Sequence, residues 1–138
     1  MLLPAILDRL KAQVPALKLV GTLSEVDTDT LPAQHPAAFV LPVSDRATAC
    51  RIAAGAHRQD LTEMFGVLIV VSKPAPAGRA VLDLEELKDL VRQALIGWRP
   101  ADGWTACDYV SGALVDAKSG GIIWWLQQFS TSRQVIKR

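Results

Sequence analysis

The chain of 138 residues carries 15 Lys and Arg against 14 Asp and Glu, which gives a formal net charge of +1. This nearly neutral balance provides no basic field to hold nucleic acid, so it argues against non-specific DNA binding. Half of the residues are hydrophobic and 21% are charged, as is typical of a globular protein with a sizeable core. We therefore expect a single domain over residues 1–138.

The sequence around the N-terminus lacks the basic lead and apolar block of a secretory signal. No apolar run reaches the ~18 residues that a membrane span needs. Cys50 and Cys107 lie far apart with no metal-ligand spacing around either. We interpret both as reduced thiols of a cytoplasmic protein, while one disulfide between them stays open.

A first amphipathic helix is predicted at Leu2–Val14, where apolar residues recur at helical spacing before Pro15 ends the pattern. Leu17–Gly21 follows as a short strand candidate. The acidic and proline-containing stretch Ser24–Pro36 has turn chemistry, which predicts a connection with at most one helical turn.

The central strand is predicted at Leu61–Ser72, a long run that is rich in β-branched residues. Its second half is apolar at odd and even positions, so both faces need a cover. Ala37–Val43 is a further strand candidate. Pro42 removes one backbone donor from it, which favours a sheet edge or a strand end.

A projecting loop or arm is expected at about residues 44–60. Ser44–His57 is too long for a tight turn and has only a weak apolar pattern, which predicts a loop. The extended run that starts at Arg58 is far longer than an ordinary strand. We therefore expect its first part to bend or to extend away from the body.

The strongest helical pattern lies at Val81–Trp98, where apolar residues form one stripe and acidic residues occupy the early turns. After it, Tyr109–Ala117 and Ile122–Thr131 are predicted to pair as a hairpin, followed by a frayed basic tail. Two helices with a mostly antiparallel sheet make an α+β sandwich, which is the fold class that we expect.

Trp124 and Trp125 are adjacent on the last predicted strand, so their side chains must point to opposite faces of the sheet. One indole can enter the core under the helix at Val81–Trp98. The other needs a second cover, which either the first helix or a neighbouring subunit provides. Both alternatives stay open.

The reactive side chains indicate no catalytic centre. His35 and His57 have no nucleophile or carboxylate pair beside them, and a thiol nucleophile made from Cys50 or Cys107 with either histidine has no local support. The glycines form no phosphate-binding loop. We therefore predict no enzymatic activity, no cofactor and no metal.

Five stretches of the sequence together resemble the tail terminator proteins of long-tailed bacteriophages. They are LPAILDRLKAQVPALKLV, PAAFVLPVSD, FGVLIVVSKP, LDLEELKDLVRQALIGWRP and YVSGALVDAKSGGIIWWLQQFST. The resemblance covers nearly the whole chain. Its most specific parts are WRP after the second helix and the strand GGIIWWLQQF.

The resemblance implies a structural protein with helices against a sheet, no cofactor and no reaction. Such proteins form a ring, usually a hexamer, on the end of the completed tail tube, where they stop tube polymerisation and present a surface for head attachment. They are assembled in the host cytoplasm and stay in the virion at the head-proximal end of the tail. The implied partners are other copies of the chain, the tail tube protein and a head-completion or connector protein, with genomic DNA only passing through the lumen and no membrane.

Function of this kind rests on surfaces, and Ser44–His57 corresponds to a region that can contact the tube or a neighbour in such rings. The basic residues of this region lack interleaved aromatics, which favours a protein contact over a nucleic-acid site. Our candidate residues for a subunit or tube interface are Arg46, Arg51, His57, Arg58, Trp125 and Arg133. Two alternatives stay open, namely another head–tail joining or tail-tube-like phage protein, and a small cysteine hydrolase.

Overall fold

The computed structural model of the chain describes residues 2–22, 36–53, 55–72, 79–118 and 122–137. These described residues form two helices and six strands. In chain order they are α1 (Leu2–Gln13), β1 (Leu19–Thr22), β2 (Ala37–Ala47), β3 (Arg51–Ala53), β4 (Ala56–Ser72), α2 (Arg79–Leu95), β5 (Asp108–Lys118) and β6 (Ile122–Lys137). The connection predicted at Ser24–Pro36 lies almost wholly outside the described residues.

The strands form one sheet in the order β1-β2-β4-β6-β5, with β3 paired to β4 alone. β1 runs parallel to β2, and the other pairings are antiparallel. The expected α+β fold with two helices on a mostly antiparallel sheet is thereby confirmed. β4 is the central strand, as its sequence predicts, and all of its residues from 65 to 72 are buried.

Both helices end where the backbone chemistry requires it. α1 ends at Gln13, two residues before Pro15. α2 ends at Leu95, one turn before the predicted end at Trp98, because Gly97 adopts a φ of 81° that a right-handed helix cannot contain. The amide of Gly97 donates instead to the carbonyl of Cys107 at 2.9 Å, which ties the end of α2 to the start of β5.

Both helices pack on one face of the sheet, which we call the helix-covered face. The apolar stripes of α1 and α2 meet the side chains of Phe65, Val67 and Ile69 in one buried cluster. The opposite face carries a second buried cluster, which contains Phe39, Val70 and their neighbours. Two helices, each about 10 Å wide, are needed side by side to cover roughly four strands spaced about 4.8 Å apart.

The two adjacent tryptophans point to opposite faces, as strand geometry predicts. Trp125 lies on the helix-covered face, where the ammonium of Lys88 is 4.0 Å from its ring centroid. Trp124 lies on the opposite face and is only 3% exposed within the single chain. The expectation that the first helix covers this second indole is wrong, because α1 packs beside α2 on the helix-covered face. Trp124 is also buried without a neighbouring subunit.

The prediction of a long loop at Ser44–His57 is wrong, because most of these residues lie in strands. β2 continues to Ala47, β3 follows, and β4 already begins at Ala56. β2 passes Pro42 by a bulge, since the register with β4 shifts between Pro42 and Ser44. At Pro42 the described strands flank β2 on the β4 side only, so this part of β2 is a sheet edge, one of the positions that the proline favours.

The sheet continues beyond the helices as a ribbon. We call it the distal ribbon and define it as residues 43–47 of β2, all of β3, residues 56–64 of β4 and residues 131–137 of β6. β6 extends past Thr131, where the sequence predicts the strand to end, and pairs with β4 as far as the register pair of Lys137 and His57. At about 3.3 Å per residue, the 17 residues of β4 span roughly 55 Å, of which the buried half is less than 30 Å.

Gly112 on β5 lies very close to two aromatic side chains, so a larger residue at this position tests the packing of the sheet. A Cβ at this position would lie 2.5 Å from the hydroxyl oxygen of Tyr109 and 3.1 Å from the ring of Trp125. We expect Gly112→Val to lower the free energy of unfolding by about 1–3 kcal/mol, because both aromatic side chains must move. Urea denaturation measures the change. Ala113→Val, at the exposed next position of the strand, is the matched control, and an equal loss in both variants would contradict this account.

Candidate functional site

The structure places five of the six candidate interface residues on the distal ribbon. Arg46 lies on β2, Arg51 on β3, His57 and Arg58 on β4, and Arg133 on β6. The side chain of Arg51 lies outside the described part of the chain. Trp125 lies elsewhere, beneath Lys88 at the margin of the core.

The basic residues of the ribbon divide between its two sides. Directly paired residues of neighbouring strands share a side, and alternate residues of one strand do so too. Arg133 pairs with Leu61, which lies on the helix-covered side together with His57. Arg46 pairs with Thr62, on the side where Arg58 also lies. The ribbon therefore offers two different surfaces rather than one basic rim.

A cleft of about 820 Å³ lies at the base of the ribbon, on the helix-covered side. We call it the basal cleft. Its walls are apolar where α1 begins and where the bulge of β2 passes, and acidic where Asp45 and Glu63 face each other across β2 and β4. The lining residues are Leu2, Leu3, Pro4, Pro42, Val43, Ser44, Asp45, Glu63, Met64, Phe65, Trp104 and Arg133.

The connection between α2 and β5 positions the aromatic wall of this cleft. Thr105 fixes the connection to β6, because its amide donates to the carbonyl of Ser132 at 2.8 Å and its hydroxyl accepts from the amide of Ser132 at 3.0 Å. The neighbouring Trp104 forms a β-bridge with Arg133, whose guanidinium lies 5.2 Å from the indole centroid. The cation is thereby held against an aromatic ring at the mouth of the cleft.

Three large apolar side chains of the ribbon are exposed. Val43 is 40% exposed at the bulge of β2, Ile136 is 43% exposed near the end of β6, and Ile52 is 79% exposed on β3. A second exposed apolar set lies on β5 and consists of Val110, Leu114 and Val115. We call that set the β5 surface. Trp125 is adjacent to it, since it pairs in register with Leu114.

The ribbon tip brings together residues that the sequence does not connect. Cys50 Sγ lies 3.1 Å from His57 Nδ1, and His57 Nε2 lies 3.1 Å from Gln59 Oε1. The cause is a tight turn at Gly55, with a φ of 80°, which pairs β3 with β4. A small-residue turn between two short extended runs is the signal in the sequence that indicates this hairpin.

Cys107 is a structural thiol. Its side chain is fully buried in the core beneath the helices. Burial raises the pKa of the Cys107 thiol from 9.0 to about 11, while a hydrogen bond with Thr131 lowers that pKa and the nearby charge of Asp108 raises it. A thiol that stays protonated and inaccessible is a poor nucleophile.

This pKa shift predicts a loss of stability at alkaline pH. The unfolded chain releases the Cys107 proton at a lower pH than the folded protein does, so the stabilisation is complete below pH 9 and falls as the pH rises towards 11. We expect a loss of about 2 kcal/mol at pH 11. Denaturation curves at pH 8 and pH 11 measure it. Cys107→Ala is the control for other titrating groups, and an identical pH dependence in that variant would refute the assignment.

No group of three or more His, Cys, Asp or Glu side chains within the described ranges is arranged to hold a metal ion. None of the helices described is long and apolar enough to cross a membrane. The exposed apolar side chains of the ribbon and of the β5 surface indicate a protein that contacts other molecules through these surfaces.

The chain belongs to the phage tail terminator protein family, whose model matches residues 1–138, the whole chain. The resemblance noted in the sequence is thereby confirmed. No curated protein matches the chain. The family is a structural one, and membership makes this chain a structural protein of the phage tail with its place in the virion.

Proposed function

We propose that this chain forms a ring, of six copies, on the head-proximal end of the tail tube, where it stops tube polymerisation and provides the surface for head attachment. The observation that carries the proposal is the distal ribbon. It extends beyond the core and exposes Val43, Ile52 and Ile136 in the isolated chain. Apolar side chains on a ribbon with no core of its own are best explained by a contact with another molecule.

The partner surface on the next copy is the β5 surface. Among the described strands, β5 has a neighbour on its β6 side only, so its outer edge is available to another chain. Two bulges shift its register with β6, between Tyr109 and Ser111 and between Leu114 and Asp116. Bulges disfavour the addition of a further strand. The contact is therefore made by side chains, the ribbon of one copy packing against Leu114 and Trp125 of the next.

Repeating this contact from copy to copy can produce a ring. The ribbon and the β5 surface are different parts of the molecule, so the contact runs head to tail and gives a ring when the rotation closes. The two sides of the ribbon separate the partners. We assign Arg46 and Arg58 to the tail tube protein, and His57 and Arg133 to the neighbouring copy. Arg51 is a candidate for either contact.

The remaining partners follow from the position at the tube end. The free side of the ring contacts a head-completion or connector protein, and genomic DNA passes through the lumen. Assembly takes place in the host cytoplasm. We expect the chain to catalyse no reaction in the tail and to need no cofactor. Cys107 is buried and therefore not accessible as a catalytic nucleophile.

Negative-stain electron microscopy of the purified protein, alone and mixed with tail tubes, tests the proposal. We expect closed rings and added density at one end of each tube. Open filaments, or density along the tube walls, would favour another head–tail joining or tail-tube-like protein instead.

A matched pair of substitutions tests the role of the ribbon. Ile52→Asp places a charge at the ribbon tip, whereas Leu82→Asp places one on the surface of α2, where Leu82 is 62% exposed. Because a charge in an apolar contact is costly, we expect Ile52→Asp to weaken association between copies, and with it ring formation on tube ends, by about tenfold or more. Leu82→Asp should leave both unchanged. If Leu82→Asp weakened the association and Ile52→Asp did not, the interface would lie on the helices instead.

A further inference from the structure

We propose that Cys50 is a thiol activated by His57, and that it forms a modification site at the ribbon tip which reacts with small disulfides to give a mixed disulfide. The inference is independent of ring formation. It stands on three observations, which are an exposed thiol, an imidazole within hydrogen-bond distance, and an amide that fixes the imidazole from its other side.

The hydrogen bonds define which nitrogen of His57 carries the proton. Gln59 donates through Nε2 to the backbone carbonyl of Thr48 at 2.9 Å, and a carbonyl can only accept. The amide oxygen of Gln59 therefore faces His57 Nε2, 3.1 Å away, and requires an N–H there. In the neutral imidazole Nδ1 then has the free lone pair, so the Cys50 thiol donates its proton towards Nδ1.

This arrangement is that of a nucleophile with its base and an orienting group. Gln59 occupies the place of the third group, since it holds the ring in the tautomer that can accept the thiol proton. The backbone around Thr48 is fixed as well, because its amide donates to the carbonyl of Asp60 at 2.9 Å and its hydroxyl accepts from the amide of Asp60 at 3.0 Å. The thiol itself is exposed.

A basic residue lies on the side of the ribbon that carries His57. Lys137 on β6 is the register partner of His57, so the two residues share one side of the ribbon. On β4, Arg58 and Asp60 alternate with His57 and lie on the other side. The thiolate, rather than the thiol, is the form that attacks a disulfide.

The reaction is a thiol–disulfide exchange. The Cys50 proton moves to His57 Nδ1, and the Sγ electron pair forms a bond to one sulfur of the disulfide. The bond between the two disulfide sulfurs breaks, and the second sulfur leaves as a thiolate that takes up a proton. The disulfide is the oxidant, and a mixed disulfide on Cys50 with one free small thiol are the products.

Stopped-flow measurement with a dipyridyl disulfide between pH 6 and pH 10 tests the proposal on the full chain. We expect His57→Ala to slow the reaction by about tenfold near pH 6.5, and the difference to vanish above about pH 9.5, where an exposed thiol ionises without a base. Gln59→Leu should produce a smaller slowing of the same form. Gln59→Glu keeps an acceptor for Nε2–H but loses the donor to the Thr48 carbonyl, so it should slow the reaction less than Gln59→Leu does.

Two controls make the result decisive. Cys50→Ser should leave no fast-reacting thiol, since Cys107 is buried. Far-ultraviolet circular dichroism should show the native fold in every variant, because the substituted residues of the tip lie outside both core clusters. Rates for native protein and His57→Ala that agree at every pH would overturn the proposal and leave Cys50 an ordinary surface thiol.

Discussion

Replacing Phe129 with Ala is expected to lower the free energy of unfolding by about 3–5 kcal/mol. Phe129 is fully buried on β6 at the centre of the helix-covered face. Its ring stacks on Phe65 with centroids 5.5 Å apart and meets the edge of Tyr109 at 5.4 Å. The three rings belong to β4, β5 and β6, so one truncation loosens three strands together.

Urea denaturation followed by tryptophan fluorescence measures the loss as a lower midpoint with an unchanged slope. Phe129→Leu keeps most of the buried volume and should cost clearly less than the truncation. Ile136→Ala on the ribbon is the exposed control and should change stability by no more than about 0.5 kcal/mol. A loss below about 1 kcal/mol for Phe129→Ala would show that the aromatic cluster does not hold the sheet together.

The central strand and both helices could be predicted from the sequence because their burial requires apolar residues in a recognisable pattern along the chain. Val67 to Val71 is apolar at every position, which only a strand covered on both faces requires. The stripe of Leu84, Leu87 and Val91 likewise requires a helix with one buried side. In these stretches local pattern and tertiary environment agree.

The ribbon could not be predicted in the same way, because its strands are not buried. Residues 44 to 47 are exposed and polar or small, so no apolar alternation distinguishes them from a loop. Their strand character comes from pairing with β4, which a sequence window does not contain. The bulge at Pro42 adds to the difficulty, since proline is expected to end a strand and here only shifts its register.

The distribution of the candidate interface residues over the two sides of the ribbon could not be predicted either, because it also depends on strand pairing. Whether Arg46 and Arg58 share a side depends on the register between β2 and β4, and one residue of shift would reverse the answer. The pair of Cys50 and His57 depends on a turn only a few residues long, and the sequence alone gave this pair no support. The arrangement of both helices on one face depends on the width of the sheet, which is a property of the whole fold.

Shortening the ribbon is expected to separate folding from assembly. The variant replaces residues 48–60 with Asn-Gly, a two-residue turn suited to joining Ala47 to its register partner Leu61. Among the buried residues of the described chain, only Ala56 lies in the removed stretch. We therefore expect the variant to fold with a free energy of unfolding within about 1 kcal/mol of the native value, although the last residues of β6 lose their partner.

Tail assembly should fail in the same variant, because it lacks Ile52, Arg58 and His57 while the β5 surface is intact. The copies then cannot close a ring, and tubes should continue to grow instead of ending at one length. Electron microscopy of tube lengths measures the effect, with Leu82→Asp on the full chain as the control for surface change. Tubes of normal length capped by the folded, shortened protein would show that termination needs no ribbon, and the contact between copies would then lie on the body of the sheet.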